Sequence, residues 1–392
     1  MSATRPSTSS LAALSALRPM GRSRNPRVFL DLAGPAVRGL LLKKGKQGSS
    51  TTMPARHEAH FDWNYERNRP EIRKLYDAAK RSQWDGATAL AWDTEVDPYD
   101  RARELMPEHA LPLIEIPAYR SLPERQRSEH RASLTAWLLS QFLHGEQGAL
   151  FAACQVTEAV QWMDGKLYGS TQVVDEGRHV EVFHRYLDEK LGKVYEINDN
   201  LYTIIDALMT DGRWDLKFLG MQVMIEGLAL GAFGTMRQST SEPLLKELLK
   251  YVITDEARHV TFGVVALRDY YAALPENERR DREDWAYEIS VLLRNRFLAH
   301  EFYDEYYAHC MSKREWNALV LRSGFMRRFR TTLFRRLVPN LKRIHLLSDR
   351  IRPHYDALGL LVYEHEKPST ELRAVDLLEC EPKEAEAMLL HG

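Results

Sequence analysis

The amino-acid sequence predicts an all-α protein built around long helices. From Arg69 onward, apolar residues recur at the spacing of a helix, and runs of β-branched residues bounded by turn residues are nearly absent. The chain has 392 residues, of which 44% are hydrophobic and 28% are charged, a composition typical of a soluble globular protein with a large core. Because no uninterrupted apolar stretch approaches the roughly 18 residues of a membrane span, the sequence predicts none.

Turn and capping residues divide the helical pattern into six long segments. Asp164-Gly165 separates the second from the third, Ser241 and Pro243 open the fifth, and Pro275 ends it. The predicted helices are 70–82, 133–163, 166–191, 201–236, 242–274 and 284–309, and shorter helical segments follow to about residue 363.

Charge is distributed unevenly along the chain. Residues 1–57 have ten Lys or Arg and a single acid, Asp31, and residues 313–352 have twelve Lys or Arg and two acids. The rest of the chain therefore has a net charge of about −20. We divide the chain into a basic tail (1–57), a helical domain (58–310) and a basic helical C-terminal extension (311–392).

The basic tail is rich in Ser, Arg, Gly and Pro and is predicted to be disordered. It is either an extension on a cytoplasmic protein, which we favour, or an organelle-targeting peptide, since such peptides are rich in Arg and Ser and poor in acids. Cys154, Cys310 and Cys380 form no C-x-x-C pair, which excludes a disulfide scaffold, a zinc ribbon and a thiolate iron–sulfur site. A reducing compartment is expected.

Two pentapeptides share one pattern of acidic, basic and imidazole residues. They are DEGRH at 175–179 and DEARH at 255–259. In each, the Glu and the His are three positions apart and lie on the same face of a helix, so that a carboxylate and an imidazole can converge on one ion. One Glu-x-x-His pair often occurs by chance, but two copies with the same Asp and Arg indicate a functional site.

A third acidic residue precedes each pair by 30 positions. Glu146 precedes Glu176, and Glu226 precedes Glu256. The two copies also agree at three small or apolar positions, which are Ala149/Ala229, Leu150/Leu230 and Ala152/Ala232. We infer an internal duplication with an offset of 80 residues, in which each half is a pair of helices.

Four glutamates within apolar helices require a compensating charge. An unpaired buried carboxylate is costly, so burial needs a counter-charge, a proton or a metal. Four Glu and two neutral His balance two divalent cations, and oxygen and nitrogen ligands suit iron or manganese better than zinc. The alternative is a helical bundle in which Arg178 and Arg258 form buried salt bridges with these acids.

With these motifs, residues 133–274 resemble the ferritin-like di-iron carboxylate proteins, in which two helices each supply a Glu and two others supply Glu-x-x-His. The Asp-Glu-x-Arg-His form is most similar to the oxygen-activating branch, which includes multicomponent monooxygenase hydroxylases, ribonucleotide reductase small subunits, acyl-carrier desaturases and p-aminobenzoate N-oxygenases. The resemblance implies a ferritin-like four-helix bundle in 58–310 with additional N- and C-terminal helices.

The resemblance also implies which residues hold the metals. The implied ligands are Glu146, Glu176 and His179 for one ion, and Glu226, Glu256 and His259 for the other. One or both of Glu176 and Glu256 would bridge the ions. In these families the Asp before the Glu hydrogen-bonds a ligand His across the bundle, which implies that role for Asp175 and Asp255, with Arg178 and Arg258 paired to those acids.

Three positions depart from particular relatives. Phe183 stands where ribonucleotide reductase small subunits have a radical Tyr, and Leu230 where toluene- and methane-type hydroxylases have a Thr. Val252 stands where the N-oxygenases have a seventh ligand, a His four residues before the last Glu. These departures disfavour a radical reductase and weaken the other two likenesses.

Residues one turn from the ligands are predicted to line a substrate cavity. They are Phe142, Ala149, Leu150, Ala153, Phe183, Gln222, Ala229, Leu230 and Phe233. This mostly apolar set suits an apolar or aromatic substrate. Tight packing of the helices through neighbouring glycines explains the small residues equally well.

The function that the resemblance implies is a non-haem di-iron enzyme with two iron ions, manganese being an alternative. It would use dioxygen and an external electron donor to hydroxylate or N-oxygenate a small, largely apolar organic substrate. The alternatives are a desaturase or oxidase acting on a carrier-bound acyl chain, an iron-handling protein with ferroxidase activity only, a dimanganese catalase and a helical binding protein with a vestigial site.

The basic C-terminal extension suggests a partner surface. Its cations include Arg327, Arg328, Arg330, Arg335, Arg336, Lys342 and Arg343. They could dock an electron donor, an acidic carrier protein or a membrane surface, or they could pack on the acidic core or on the second subunit of a homodimer. No nucleic-acid partner is expected, since no binding motif accompanies the charge.

Overall fold

The computed structural model describes residues 21–46 and 50–372, together with Asp376 and Leu378, and the described chain is helical without a strand. The helices are α1 (Pro26–Ala36), α2 (Pro70–Arg81), α3 (Glu124–Ala159), α4 (Met163–Arg185), α5 (Asp199–Thr210), α6 (Trp214–Phe218), α7 (Glu226–Ser239), α8 (Pro243–Ala273), α9 (Glu276–Asn295), α10 (His300–Tyr306), α11 (Lys313–Arg322), α12 (Gly324–Arg343) and α13 (Arg352–Ala357). The all-α prediction is confirmed.

Shorter helical pieces join these helices. The π-helical segments are Val37–Leu41, Tyr186–Leu191 and Leu219–Ile225. A single α-helical turn lies at Pro117–Arg120, and 3₁₀ turns lie at Lys44–Lys46, Glu108–Ala110, Pro112–Glu115, Arg296–Leu298, Leu361–Tyr363 and Ser369–Glu371.

Four long helical elements form the central bundle. α3 packs along α4, α7 packs along α8, and contacts between α4 and α8 join the two pairs. Each pair is one half of the duplication inferred from the sequence. The bundle buries a continuous core, and α2 lies across α4 and α8 at one side of it.

The helical element that contains Glu226 is the most deeply buried. It runs from Trp214 to Ser239 through α6, the π-helical segment Leu219–Ile225 and α7. It is long and apolar enough to cross a membrane, but 94% of its most apolar window is buried inside the protein, so it is a core helix. The π-helical segment ends directly before Glu226, and such widened turns often occur at functional sites.

The predicted single helix over 201–236 is wrong, because the chain breaks between α5 and α6. Asp211 has an extended backbone, and its carboxylate accepts hydrogen bonds from the backbone and the side chain of Arg213. This local turn competes with the hydrogen bonds of a continuing helix. The Lys217 ammonium then donates to the carbonyl oxygen of Leu208 at 3.1 Å, near the end of α5.

Three other predicted boundaries also shift. The break between α3 and α4 lies at residues 160–162, so that Asp164 and Gly165 lie in the first turn of α4 rather than between the helices. α3 begins at Glu124, directly after Pro123, rather than at residue 133. The predicted helix over 284–309 begins earlier and is divided into α9 and α10, because Ala299 adopts a left-handed backbone with φ of 47°. No Gly or Pro marks this break in the sequence.

The structure differs from the expectation of a disordered tail between residues 21 and 46. α1 begins after Asn25, whose side chain accepts hydrogen bonds from the backbone of Arg27 and Val28. Arg38 forms an ion pair with the buried Asp206, at 2.6 Å from Nε to Oδ2. The buried apolar side chains of α1 include Val28, Leu32 and Ala36. Residues 1–20 lie outside the described residues, and a targeting role for them stays a prediction.

The C-terminal extension packs on the bundle. α12 lies along α7, and its buried side chains include Leu333, Leu337 and Leu341. Basic residues of the extension pair with acids: Arg335 with Glu366, and Arg350 with Glu283 on α9. The side chains of Arg327, Arg328 and Arg330 lie outside the described residues. Packing on the acidic core is therefore observed for part of the extension, and the predicted domain boundaries and partner docking stay predictions.

Candidate metal centre

The four helices of the bundle bring the six predicted ligands together. Glu146 lies on α3, Glu176 and His179 on α4, Glu226 at the start of α7, and Glu256 and His259 on α8, and none is more than 5% exposed. Two groups have ligand atoms within 4.8 Å of one another: Glu146, Glu176, His179 and Glu256, and Glu176, Glu226, Glu256 and His259. Glu176 and Glu256 belong to both groups, as bridging carboxylates would.

Each imidazole turns its Nδ1 atom toward the carboxylates. His179 Nδ1 lies 3.1 Å from an oxygen of Glu146 and 3.2 Å from one of Glu256. His259 Nδ1 lies 3.1 Å from an oxygen of Glu176. Both histidines therefore present Nδ1 to the point at which the acids converge.

The opposite ring nitrogens are held by the predicted aspartates, each serving the histidine of the other half. His179 Nε2 lies 3.2 Å from Asp255 Oδ2, and His259 Nε2 lies 3.3 Å from Asp175 Oδ2. A carboxylate can only accept a hydrogen bond. Each Nε2 is therefore protonated, and its N–H group donates a hydrogen bond to the aspartate. The Nδ1 lone pair is then free to bind a metal.

Arg178 and Arg258 lie between the two aspartates and are buried with them. Arg178 donates to Asp175 and, at 3.2 Å, to Asp255, while Arg258 donates to Asp255 and lies 3.6 Å from Asp175. Although burial raises the pKa of Asp255, hydrogen bonding to His179 and the charge of Arg258 lower it overall. These are buried ion pairs to the aspartates, and neither arginine forms an ion pair with the four glutamates.

Two side chains beyond the end of α2 complete this network, and the sequence analysis missed both. Gln83 Nε2 donates to Asp175 at 3.0 Å, and Trp84 Nε1 donates to Asp255 at 2.8 Å. The Arg178 guanidinium lies 4.7 Å above the Trp84 ring. Neither residue belongs to the duplicated halves, and no spacing in the sequence relates them to the site.

A buried glutamine, also missed, touches the glutamates directly. Gln172 Nε2 donates to Glu176 Oε1 and to Glu226 Oε1, at 3.1 Å in both cases. Gln222 Nε2, from the π-helical segment, donates to Gln172 Oε1 at 3.4 Å. The available signal was that Gln172 lies one turn before Glu176 on the same helix face.

The carboxylates have more acceptor atoms than the protein has donors. Buried oxygens without a hydrogen-bond partner are Oε2 of Glu176, Oε2 of Glu226 and both side-chain oxygens of Glu256. Burial, and then the negative charge of Glu256, raise the pKa of Glu146 and of Glu226 well above the ordinary value. Unpartnered buried acceptors that face one another fit divalent cations. Bound cations would give these oxygens partners and would offset the repulsion between the carboxylates.

The histidines show the same charge imbalance. Burial lowers the pKa of His179 and of His259, but hydrogen bonds and charges from the surrounding acids raise both well above the ordinary value. A cation bound at Nδ1 would need a neutral ring with its proton on Nε2, since a histidine ligand is deprotonated at the nitrogen that binds the metal.

Aromatic side chains pack beside the Glu146 end of the site. The rings of Phe142 and Phe233 are 4.7 Å apart, and those of Phe183 and Phe233 are 5.8 Å apart. Of the nine predicted lining residues, eight are buried and Leu150 is half-buried. Helix packing explains Gly148, where an added Cβ would lie 2.8 Å from Ile205 Cδ1, whereas Gly145 has free space. A substrate cavity formed by the nine residues stays a prediction.

A groove of about 920 Å³ lies on the opposite face of α3. It is bordered by residues 50–53 and by α5, and its lining includes His57, Phe151, Cys154 and Gln155. None of the predicted lining residues borders this groove.

The helical bundle and its buried Glu/His cluster define a ferritin-like protein of the di-iron carboxylate class. The family whose sequence model is described as "P-aminobenzoate N-oxygenase AurF" matches residues 66–344, well over half of the chain. The chain therefore belongs to the p-aminobenzoate N-oxygenase AurF family, which confirms the predicted resemblance. In this chain the buried Val252 stands at the position where the resemblance places a seventh ligand, a His.

Solved structures resemble the chain only distantly. A point mutant of an R2-like ligand-binding oxidase with aerobically reconstituted Mn/Fe cofactor is 18% identical, with a TM-score of 0.44, over 73% of this chain and 96% of that chain. A mutant of the oxidase with anaerobically reconstituted Mn/Fe cofactor is 19% identical, with a TM-score of 0.42, over 73% of this chain and 95% of that chain. No curated protein matches the chain.

Proposed function

We propose that this protein is a di-iron enzyme that uses dioxygen and external electrons to hydroxylate or N-oxygenate a small, largely apolar organic substrate. The observation that carries the proposal is the pair of buried Glu/His groups that share Glu176 and Glu256. Membership of an N-oxygenase family supports an oxidoreductase, and the proposal extends it to oxygen insertion.

Two metal positions follow from the donor atoms. Glu146 and His179 would hold one ion, Glu226 and His259 the other, and Glu176 and Glu256 both. Oxygen and imidazole ligands without thiolate suit iron, with manganese as the alternative. Bound iron would supply the electrons and the open coordination positions at which dioxygen is reduced.

The protein's own side chains prepare this chemistry. Asp175 and Asp255 hold the Nε2 protons of the two histidines, which keeps the rings in the tautomer that presents Nδ1. The rings of Phe142, Phe183 and Phe233 pack together as an apolar wall, and Phe142 lies one turn before Glu146 on α3. We propose that an apolar part of the substrate lies against this wall, where water would otherwise compete.

The proposed reaction also has consequences for the protein's partners. An electron donor is required by the proposed reaction, and the basic extension is its proposed docking surface. The pairing of Arg350 and Arg352 with Glu283 and Glu364 reduces the charge that this surface offers. A homodimer and a cytoplasmic location are retained as predictions.

Anaerobic loading with Fe(II) tests the metal centre. The full-length protein should bind two iron ions per chain, and mixing with oxygen should change its absorption spectrum. Glu176→Ala should abolish both results, because it removes a carboxylate shared by the two positions. The matched control is Glu181→Ala, an exposed glutamate of the same helix. Substoichiometric iron that does not respond to Glu176→Ala would contradict the proposal.

The products formed during turnover show which type of reaction the protein catalyses. Mass spectrometry of small-molecule extracts after turnover should find a compound that has gained one oxygen atom. A loss of two hydrogens would instead support the desaturase or oxidase. Oxidation of Fe(II) without any changed organic compound would support the iron-handling alternative.

A further inference from the structure

The two halves of the centre differ in the residues that surround equivalent ligands. With the offset of 80 residues, Gln172 is equivalent to Val252, and Gln222 is equivalent to Phe142. All four side chains are buried. The duplication therefore keeps the ligands but places amides in some positions and apolar groups in their equivalents.

At the Glu226 position the surroundings are polar. Gln172 donates to Glu226 Oε1, and its own oxygen accepts a hydrogen bond from Gln222. The orientation of the Gln172 amide follows from these partners, because carboxylates only accept and the Gln222 amide nitrogen only donates. At the Glu146 position, by contrast, the residue one turn earlier is Phe142, packed against Phe233.

Gln172 also selects which carboxylate oxygens remain free. It binds Oε1 of Glu176 and Oε1 of Glu226, and Oε2 of each glutamate has no hydrogen-bond partner. The amide thereby fixes the rotation of two carboxylates from different helices at once.

We propose that Gln172 is a positioning residue that holds Glu226 for metal binding and makes the two metal positions inequivalent. The proposal rests on the proposed function in one respect, that the cluster binds two ions. It goes beyond that function because it assigns to a neutral side chain the difference between two positions that share the same types of ligand.

A titration with Mn(II), followed by EPR, tests the proposal without turnover. Unbound Mn(II) gives a sharp spectrum that measures the free concentration, and a pair of bound ions gives an exchange-coupled spectrum. The wild-type protein should bind two ions in two resolved steps. Gln172→Met keeps the side-chain volume and removes the donor, and it should weaken one step by about 10- to 100-fold while the other changes much less.

Two variants assign the effect to Glu226. In a Glu226→Gln background, Gln172→Met should have little further effect on the remaining ion, because the carboxylate that it positions is already changed. Gln222→Met, which removes the partner of the Gln172 oxygen, should weaken the same step by a smaller factor. The matched control is Val252→Ala, the equivalent position in the other half, which removes no hydrogen bond and should leave both steps unchanged.

The outcomes separate this inference from the proposed function. A wild-type protein that binds a pair of neither Mn(II) nor Fe(II) ions overturns both, and if it binds only Fe(II) the same variants are compared by anaerobic Fe(II) titration. If the wild type binds two ions, then unchanged affinities and an unchanged coupled spectrum in Gln172→Met overturn the positioning role alone. An equal weakening of both steps, or the same loss in Val252→Ala, would mean that Gln172 acts only through packing. Thermal unfolding of the metal-free variants shows whether each is folded. If Gln172→Met does not fold, the positioning role is tested with Gln222→Met instead.

Discussion

Asp255 has four side-chain partners in the candidate metal centre, and the effect of replacing it by Ala can be estimated from them. Its carboxylate accepts hydrogen bonds from His179, Trp84, Arg178 and Arg258. The variant leaves two buried arginines to share the single carboxylate of the other half. Breaking a buried ion pair by removing one partner costs about 3–5 kcal/mol, so we expect a loss of that size in the free energy of unfolding.

Urea unfolding of the metal-free protein measures this loss. The matched control is Asp269→Ala on the same helix, which removes an ion pair with Arg268 in which the carboxylate is 68% exposed. An exposed pair contributes about 0–1 kcal/mol, so the control should be nearly neutral. Asp255→Ala should also weaken Mn(II) binding by about 10- to 100-fold, because the His179 ring loses its anchor. Equal stability of the two variants would refute the view that Asp255 is the buried counter-charge of this network.

Three further predictions concern other buried side chains and their partners. Trp84→Phe removes the hydrogen bond to Asp255 but keeps an aromatic ring, and it should lower the free energy of unfolding by about 1–2 kcal/mol in urea, a value indistinguishable from zero being the contrary result. Burial lowers the pKa of Lys217 to about 8 from an ordinary value of 10.5, so the unfolded chain binds the proton more strongly. The free energy of unfolding should then rise by about 3 kcal/mol between about pH 8 and about pH 10.5, and this rise should be absent in Lys217→Met when unfolding is measured across that range. Arg38→Ala leaves the buried Asp206 without its ion-pair partner and should destabilise the protein by about 1–3 kcal/mol in thermal or urea unfolding, and an unchanged free energy of unfolding would contradict this expectation.

Within each half, the pairing of Glu and His that the sequence spacing selected follows from local helix geometry. Glu176 and His179 share a helix face whatever the rest of the chain does, and the same holds for Glu256 and His259. The prediction that the two helix faces meet at one site was based on the duplication, because equivalent halves of a bundle present equivalent faces to each other. The roles of these residues as metal ligands remain the proposal that the Fe(II) experiment tests.

The helix boundaries that the sequence analysis missed depend on distant or subtle contacts. Ala299 enters the left-handed region without any glycine to indicate it. α1 is helical because its apolar side packs on α5 and α9, although its basic and Ser-rich surroundings suggested disorder. Composition averages over such a segment, whereas burial of three or four side chains decides its structure.

The sequence by itself determined the helical class and the pairs of carboxylate and imidazole, because both follow from periodicity within a few turns of helix. It also determined the duplicated halves, because the same residues recur at an offset of 80 positions. Only the tertiary structure decided that Gln172 holds Glu226, 54 positions away, and that Trp84 holds Asp255, 171 positions away. Hydrogen bonds across a bundle depend on how helices pack, and neither amide nor indole side chains leave a periodic signal of their partners. The symmetry of the ligands is therefore visible in the sequence, and the asymmetry of their surroundings only in the fold.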